Sequence, residues 1–141
     1  MPSLVKPLYT TRATATGGRS GRSTTSDGLL DVPLAAPPEM GGPGGATNPE
    51  QLFATGYAAC FHSALRGIAR REKITLEDTA ITVDVGIGPR DEGGFGLTVA
   101  IEAELPGVDE TKARELLDAA HQVCPYSNAT RGNIDVKISL A

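Results

Sequence analysis

An α+β fold is predicted for this chain by three observations. Short alternating segments cluster in its first third, two longer segments carry helical periodicity, and further alternating segments separate and follow those helices. The expected order is β-β-β-α-β-β-α-β, within a single domain spanning residues 1–141. A chain of that length buries roughly two-thirds of the surface its unfolded form exposes, so it needs no staple in order to fold.

The elements follow from local chemistry. Thr10 to Thr16 alternates and is rich in threonine, which suits a strand. The turn Gly17-Gly18-Arg19-Ser20-Gly21 comes next, then a run from Arg22 to Ser26. Asp27-Gly28 predicts a two-residue hairpin, with Leu29 to Leu34 pairing back. Ala35 to Thr47 is too dense in glycine and proline to be anything but loop. Asn48 as N-cap, Pro49 at the first helical position, Glu50 in the first turn and Gln51 as a capping-box residue start the first helix. Its stripe runs through Phe53, Gly56, Tyr57, Cys60, Ala64, Gly67 and Ile68. Strands over Thr79–Ile87 and Phe95–Leu105 flank the turn GPRDEGG. Asp109 caps the second helix, whose stripe is Ala113, Leu116, Leu117, Ala120 and Cys124. Pro125 is expected to stop it, leaving PYSNATRGN as loop and Ile134–Leu140 as the last strand.

Charge narrows the function. Thirteen basic residues against seventeen acidic ones give a net charge of -4, without any block of one sign. The stretch from Ala69 to Glu72 reads as a solvated, cationic helix end rather than a nucleic-acid patch. No run of about 18 apolar residues is present and the N-terminus lacks a signal-peptide core, so a cytoplasmic protein without membrane or nucleic-acid partners is expected. Cytosolic disulfides, where they occur, are mostly transient and catalytic. Helices rich in alanine and glycine approach closely, which suits a dimer.

The candidate chemistry lies in two cysteines. Cys60 and Cys124 sit on the apolar stripes of different helices, and packing those stripes together would bring the sulfurs near, with Ala59 and Ala120 leaving room. Buried thiols are often inert small hydrophobes, and both readings stand at this point. A reactive Cys60 must be a thiolate, yet burial opposes that charge, and a mid-helix position puts its own helix N-terminus out of reach. It therefore needs a cation, for which Arg19, Arg22, Arg66 and Arg131 are candidates. Glu50 lies about 15 Å along the helix axis from Cys60, so the two cannot share a site within one straight helix, whereas an antiparallel copy of the helix could bring them together. His62 is two residues from Cys60 and faces elsewhere, which argues against a Cys–His pair in cis. Cys60, His62, His121 and Cys124 make a zinc-like ligand set, but at spacings foreign to zinc fingers. MGGPGG lacks the ending of a phosphate loop.

Three segments, ATATGGRSGRSTTSDGLLDVPL, GGPGGATNPEQLFATGYAACFHSAL and VCPYSNATRGNIDV, carry a likeness that extends over essentially the whole chain. They resemble the organic hydroperoxide resistance proteins (Ohr) of the OsmC-like superfamily. The resemblance implies an intertwined α+β homodimer, with central helices wrapped by antiparallel sheets. It also implies a thiol peroxidase without metal or other cofactor. Cys60 would match the peroxidatic cysteine, Cys124 the resolving one, and Arg19 and Glu50 the pair around the thiolate. Organic and lipid hydroperoxides would be the substrates, and a lipoylated protein or dihydrolipoamide the reductant. The stripe of Phe53, Tyr57 and Ile68, with the Ala35–Thr47 loop, would favour an alkyl chain.

Overall fold

The threonine-rich alternation near the N-terminus forms three short strands, β1 (Ala13–Thr16), β2 (Arg22–Thr25) and β3 (Asp31–Pro33), in an antiparallel sheet of that order. These belong to the first of two units into which the computed structural model, which describes residues 3–141, divides. The first unit ends at Pro49 and the second is Glu50–Ala141.

In the first unit, the β1–β2 connection is a tight turn with a 3-10 segment at Gly18–Ser20 that carries Arg19. A Cβ on Gly21 would lie 1.7 Å from the Thr16 carbonyl oxygen, so only glycine closes this turn. The Asp27-Gly28 hairpin is wider than the two residues expected. Thr25 N–H bonds to the Leu30 carbonyl across a four-residue loop. Asp27 fills that loop, its carboxylate accepting from the Leu29 N–H and the Thr25 hydroxyl, so an aspartate turn replaces the tight type I′ turn. The Ala35–Thr47 segment is largely irregular as expected, with a 3-10 turn at Pro38–Met40 and a bridge between Leu34 and Thr47.

The second unit contains α1 (Pro49–Arg71), β4 (Ala80–Pro89), β5 (Phe95–Glu104), α2 (Glu110–Val123), α3 (Pro125–Thr130) and β6 (Val136–Leu140). Alternation sorts the sheet faces: Val83 pairs with Ile101 and Val85 with Val99 across β4–β5, while Thr82, Asp84 and Glu102 stay exposed. The β6 strand runs parallel to β5, with Val99, Ile101 and Ala103 opposite Val136, Ile138 and Leu140. That corrects the expectation of antiparallel sheets alone. The chain leaves β5, passes through two helices and returns in the same direction, which is the connection a parallel pair requires.

The core of this unit joins Val99, Ile101 and Ala103 to the helical stripes. Ala113, Leu116, Leu117 and Ala120 of α2 are buried as predicted, and Asp109 caps α2 by accepting from Lys112 N–H. On α1 the deepest line is Tyr57, Phe61, Leu65 and Ile68, one position around the helix from the predicted stripe. Cys60 and Ala64 flank that line half-buried. Among the described residues no helix is long and apolar enough to cross a membrane.

The segment PYSNATRGN is the clearest departure from the sequence reading. Pro125 ends α2 and also opens α3, because proline at the first helical position gives up an N–H that has no intrahelical partner anyway. Cys124 is the hinge between the two helices, in extended conformation with its N–H still bonded to the Ala120 carbonyl.

Candidate active site

Two helices deliver the thiols to one place. Cys60 lies at the middle of α1, one turn after Tyr57, and Cys124 closes α2 at the joint with α3. Their Sγ atoms are 3.7 Å apart, both as free thiols, with Cys124 fully buried and Cys60 half-buried. A disulfide of about 2.0 Å needs the sulfurs to approach by about 1.7 Å.

Electrostatics at Cys60 work against the thiolate from within this unit. Burial pushes its thiol pKa up, the backbone N–H of Tyr126 opposes that by hydrogen bonding to the sulfur, and the adjoining Cys124 thiol raises it further. The N–H comes from the first turn of α3, a helix absent from the sequence reading. The sequence ruled out help from the N-terminus of the cysteine's own helix, whereas the hydrogen bond arrives from another one.

Beside the thiols is an aromatic group. Phe53, Tyr57 and Tyr126 have ring centroids 5.5 to 5.9 Å apart. Gly56 makes the fit possible, since a Cβ there would sit 2.7 Å from the Tyr126 hydroxyl oxygen. Tyr57 and Ile68, expected near a substrate, are instead core residues with 0% and 4% exposure. The half-buried members are Phe53 and Tyr126.

Beneath this group lies a polar chain that the sequence did not signal. Tyr57 Oη is 2.8 Å from Ser127 Oγ and 3.2 Å from Thr130 Oγ1, and His121 Nδ1 is 2.8 Å from the same Ser127 Oγ. Tyr57, Ser127 and Thr130 are all buried. The signal available was weak: Ser127 and Thr130, three residues apart, fall on one face only if PYSNAT is helical.

The other predicted residues are placed as follows. Arg19 is on the 3-10 turn of the first unit, and Glu50 is in the first turn of α1, ten residues from Cys60 on an unbroken helix. His62 bonds through Nε2 to Thr79 Oγ1 at 2.8 Å, a use separate from that of His121. Arg131 is committed locally, donating to the His121 carbonyl and to Asn128 Oδ1 at 2.5 and 2.6 Å. Arg22 pairs with Asp31 at 2.6 Å within the first sheet.

A family model described as OsmC-like protein matches residues 42–139. An organic hydroperoxide resistance protein from Xanthomonas axonopodis pv. citri is 54% identical, with all of both chains covered. A solved structure of an organic hydroperoxide resistance protein from Legionella pneumophila is 56% identical, covers 96% of this chain and 99% of that one, and superposes with a TM-score of 0.93. A putative organic hydroperoxide resistance protein from Vibrio cholerae, solved with captopril bound in one of its active sites, is 51% identical over 99% and 96% of the two chains, with a TM-score of 0.94.

Proposed function

The chain belongs to the OsmC-like family, in its organic hydroperoxide resistance branch, and from that premise we propose that it is a cysteine peroxidase that reduces organic hydroperoxides and defends against oxidative stress. The observation that carries this reading is the 3.7 Å separation of the Cys60 and Cys124 sulfurs, 64 residues apart in sequence.

The Cys60 thiolate attacks one oxygen of R–O–O–H, the O–O bond breaks, and a proton completes the alcohol R–OH. Cys60 is left as a sulfenic acid. The Cys124 sulfur then displaces the sulfenic oxygen, which leaves with two protons as water, and a Cys60–Cys124 disulfide forms. A dithiol, of the dihydrolipoyl kind, returns both thiols by exchange and becomes a disulfide itself. Arg19 lowers the Cys60 thiol pKa as a permanent cation, and Glu50 orients the guanidinium. A homodimer supplies Glu50 from the partner chain, since within one helix it lies about 15 Å from Cys60. No metal or other cofactor enters these steps, and the setting is cytoplasmic.

The test is hydroperoxide consumption with dihydrolipoamide as reductant. Cys60→Ser is expected to abolish turnover of tert-butyl hydroperoxide. Cys124→Ser is expected to complete one turnover and then accumulate overoxidised Cys60 by mass spectrometry. Substantial turnover by Cys60→Ser ends the reading, and an unmodified Cys60 thiol in Cys124→Ser after excess peroxide removes Cys124 from resolution.

A further inference from the structure

The buried polar chain contacts all three helices within one turn of the thiols. Tyr57 precedes Cys60 by three residues on α1, His121 precedes Cys124 by three, and Ser127 follows Cys124 by three on α3. Residues three apart share a helix face, so each link lies next to a sulfur-bearing position. Cys124 itself occupies the extended joint between α2 and α3, so the packing of these two helices sets where its sulfur lies.

Counting protons orders this chain. Its four contacts are His121 to Ser127, Ser127 to Tyr57, Tyr57 to Thr130, and Thr130 Oγ1 to the Ser127 carbonyl at 3.1 Å. Three hydroxyls carry three protons, so four bonds need a fourth donor, and the His121 ring is the remaining group. Thr130 donates to the carbonyl, Tyr57 to Thr130, Ser127 to Tyr57, and therefore Nδ1–H of His121 to Ser127. The neutral ring carries its proton on Nδ1 and leaves Nε2 bare. His121 and Arg131 line a surface groove of about 440 Å³ with Gly132, Asn133, Ile134 and Asp135.

We propose that His121 is a positioning residue for Cys124: its Nδ1–H starts the hydrogen-bond chain through Ser127 and Tyr57 that holds the α2–α3 joint, and so the Cys124 sulfur, against Cys60. The proposal rests on the reading of these cysteines as a redox pair. Arg131 and Asp118 are the charged groups acting on the ring. Burial, followed by Arg131, lowers its pKa while Asp118 opposes, so the ring is neutral at neutral pH. Acidification adds a proton at Nε2 and keeps the Nδ1 donor.

The experiment is equilibration of the full chain with reduced and oxidised dithiothreitol. In this exchange the two cysteine thiols give two electrons and two protons to the reagent and form one disulfide. The equilibrium reports the effective concentration of Cys124 at Cys60 without any peroxide. His121→Phe keeps the bulk and removes the donor, and is expected to lower disulfide formation about tenfold. His121→Asn restores an N–H close to the Nδ1 position and should stay within about threefold of the parent chain. A phenylalanine variant equal to the parent, or an asparagine variant as impaired as phenylalanine, overturns the proposal. If His121→Phe does not fold, long-range proton–nitrogen NMR of the parent decides at pH 8: Nδ1–H supports it and Nε2–H overturns it, with the His62 signals identified through His62→Gln. A chain that forms its disulfide normally yet ignores hydroperoxide breaks the peroxidase reading and leaves this one standing.

Discussion

The hairpin unit and the helical unit hold themselves together by different means. Among the described residues up to Pro49, only Leu34, Ala35 and Asn48 are buried, and every residue of β1 is exposed. Backbone ladders, glycine turns and an exposed Arg22–Asp31 pair maintain that sheet. In Glu50–Ala141 the apolar faces of a sheet and two long helices close a core containing Tyr57, Phe61, Leu65, Ile101, Leu116 and Cys124 at 2% exposure or less. A three-strand sheet without an apolar face of its own is marginal. The lesson is a division of labour: the helical unit supplies the stability that fixes the thiol pair, whereas the hairpin unit, which carries Arg19 on its 3-10 turn, contributes little of it.

The largest expected effect concerns stability. Leu65→Ala should cost about 2–5 kcal/mol in urea denaturation, because a fully buried side chain leaves a cavity. Val32→Ala, in the half-exposed middle of β3, should cost about 1 kcal/mol or less. Equal costs would break the comparison, by showing that the hairpin unit contributes a core of comparable worth.

Arg19→Ala tests the same division from the chemical side. The melting temperature should hardly move. On the role proposed for Arg19, its removal should raise the Cys60 pKa, so alkylation at fixed neutral pH should slow, about tenfold for each unit of rise. An unchanged pH profile of iodoacetamide alkylation would take Arg19 out of the thiolate's surroundings.

A smaller effect is expected at Gly56. Alanine there gains about 1 kcal/mol of helix propensity but drives its Cβ to 2.7 Å from the Tyr126 hydroxyl, at a packing cost of about 1–3 kcal/mol. Tyr126→Phe should relieve the clash, so the double variant should be more stable than Gly56→Ala. A single variant more stable than the parent chain would mean that Tyr126 moves aside freely.

The smallest change belongs to Asp31→Asn. Hydrogen bonds from Arg22 and Thr24 hold the Asp31 carboxyl below its ordinary pKa. A lowered carboxyl pKa stabilises the fold above the unfolded value, and that contribution fades as pH falls through the folded one. Solvent screens this exposed pair, so thermal melts of the variant and parent should coincide at neutral pH and remain together on acidification. A clear gap at pH 7 that closes by pH 3 would give the hairpin's ion pair more weight than the comparison allows.

Sequence by itself determined much of the framework. Alternation and turn signals together located six strands, Asp109 was legible as a cap, and the α2 stripe was correct to the residue, since these depend on local propensity and on 2.0 and 3.6 periodicities. The motif around VCPYS also identified the family. Local rules failed where two elements compete for one residue: Pro125 was read as a stop although the same missing N–H suits a helix start. The direction of β6, the Tyr126 N–H at Cys60 and the chain from His121 to Thr130 were decided only in three dimensions. So was the meeting of the two sulfurs. A pattern tells which face of a helix is apolar, but the partner of that face, here 64 to 73 residues away, is chosen by packing the whole core at once.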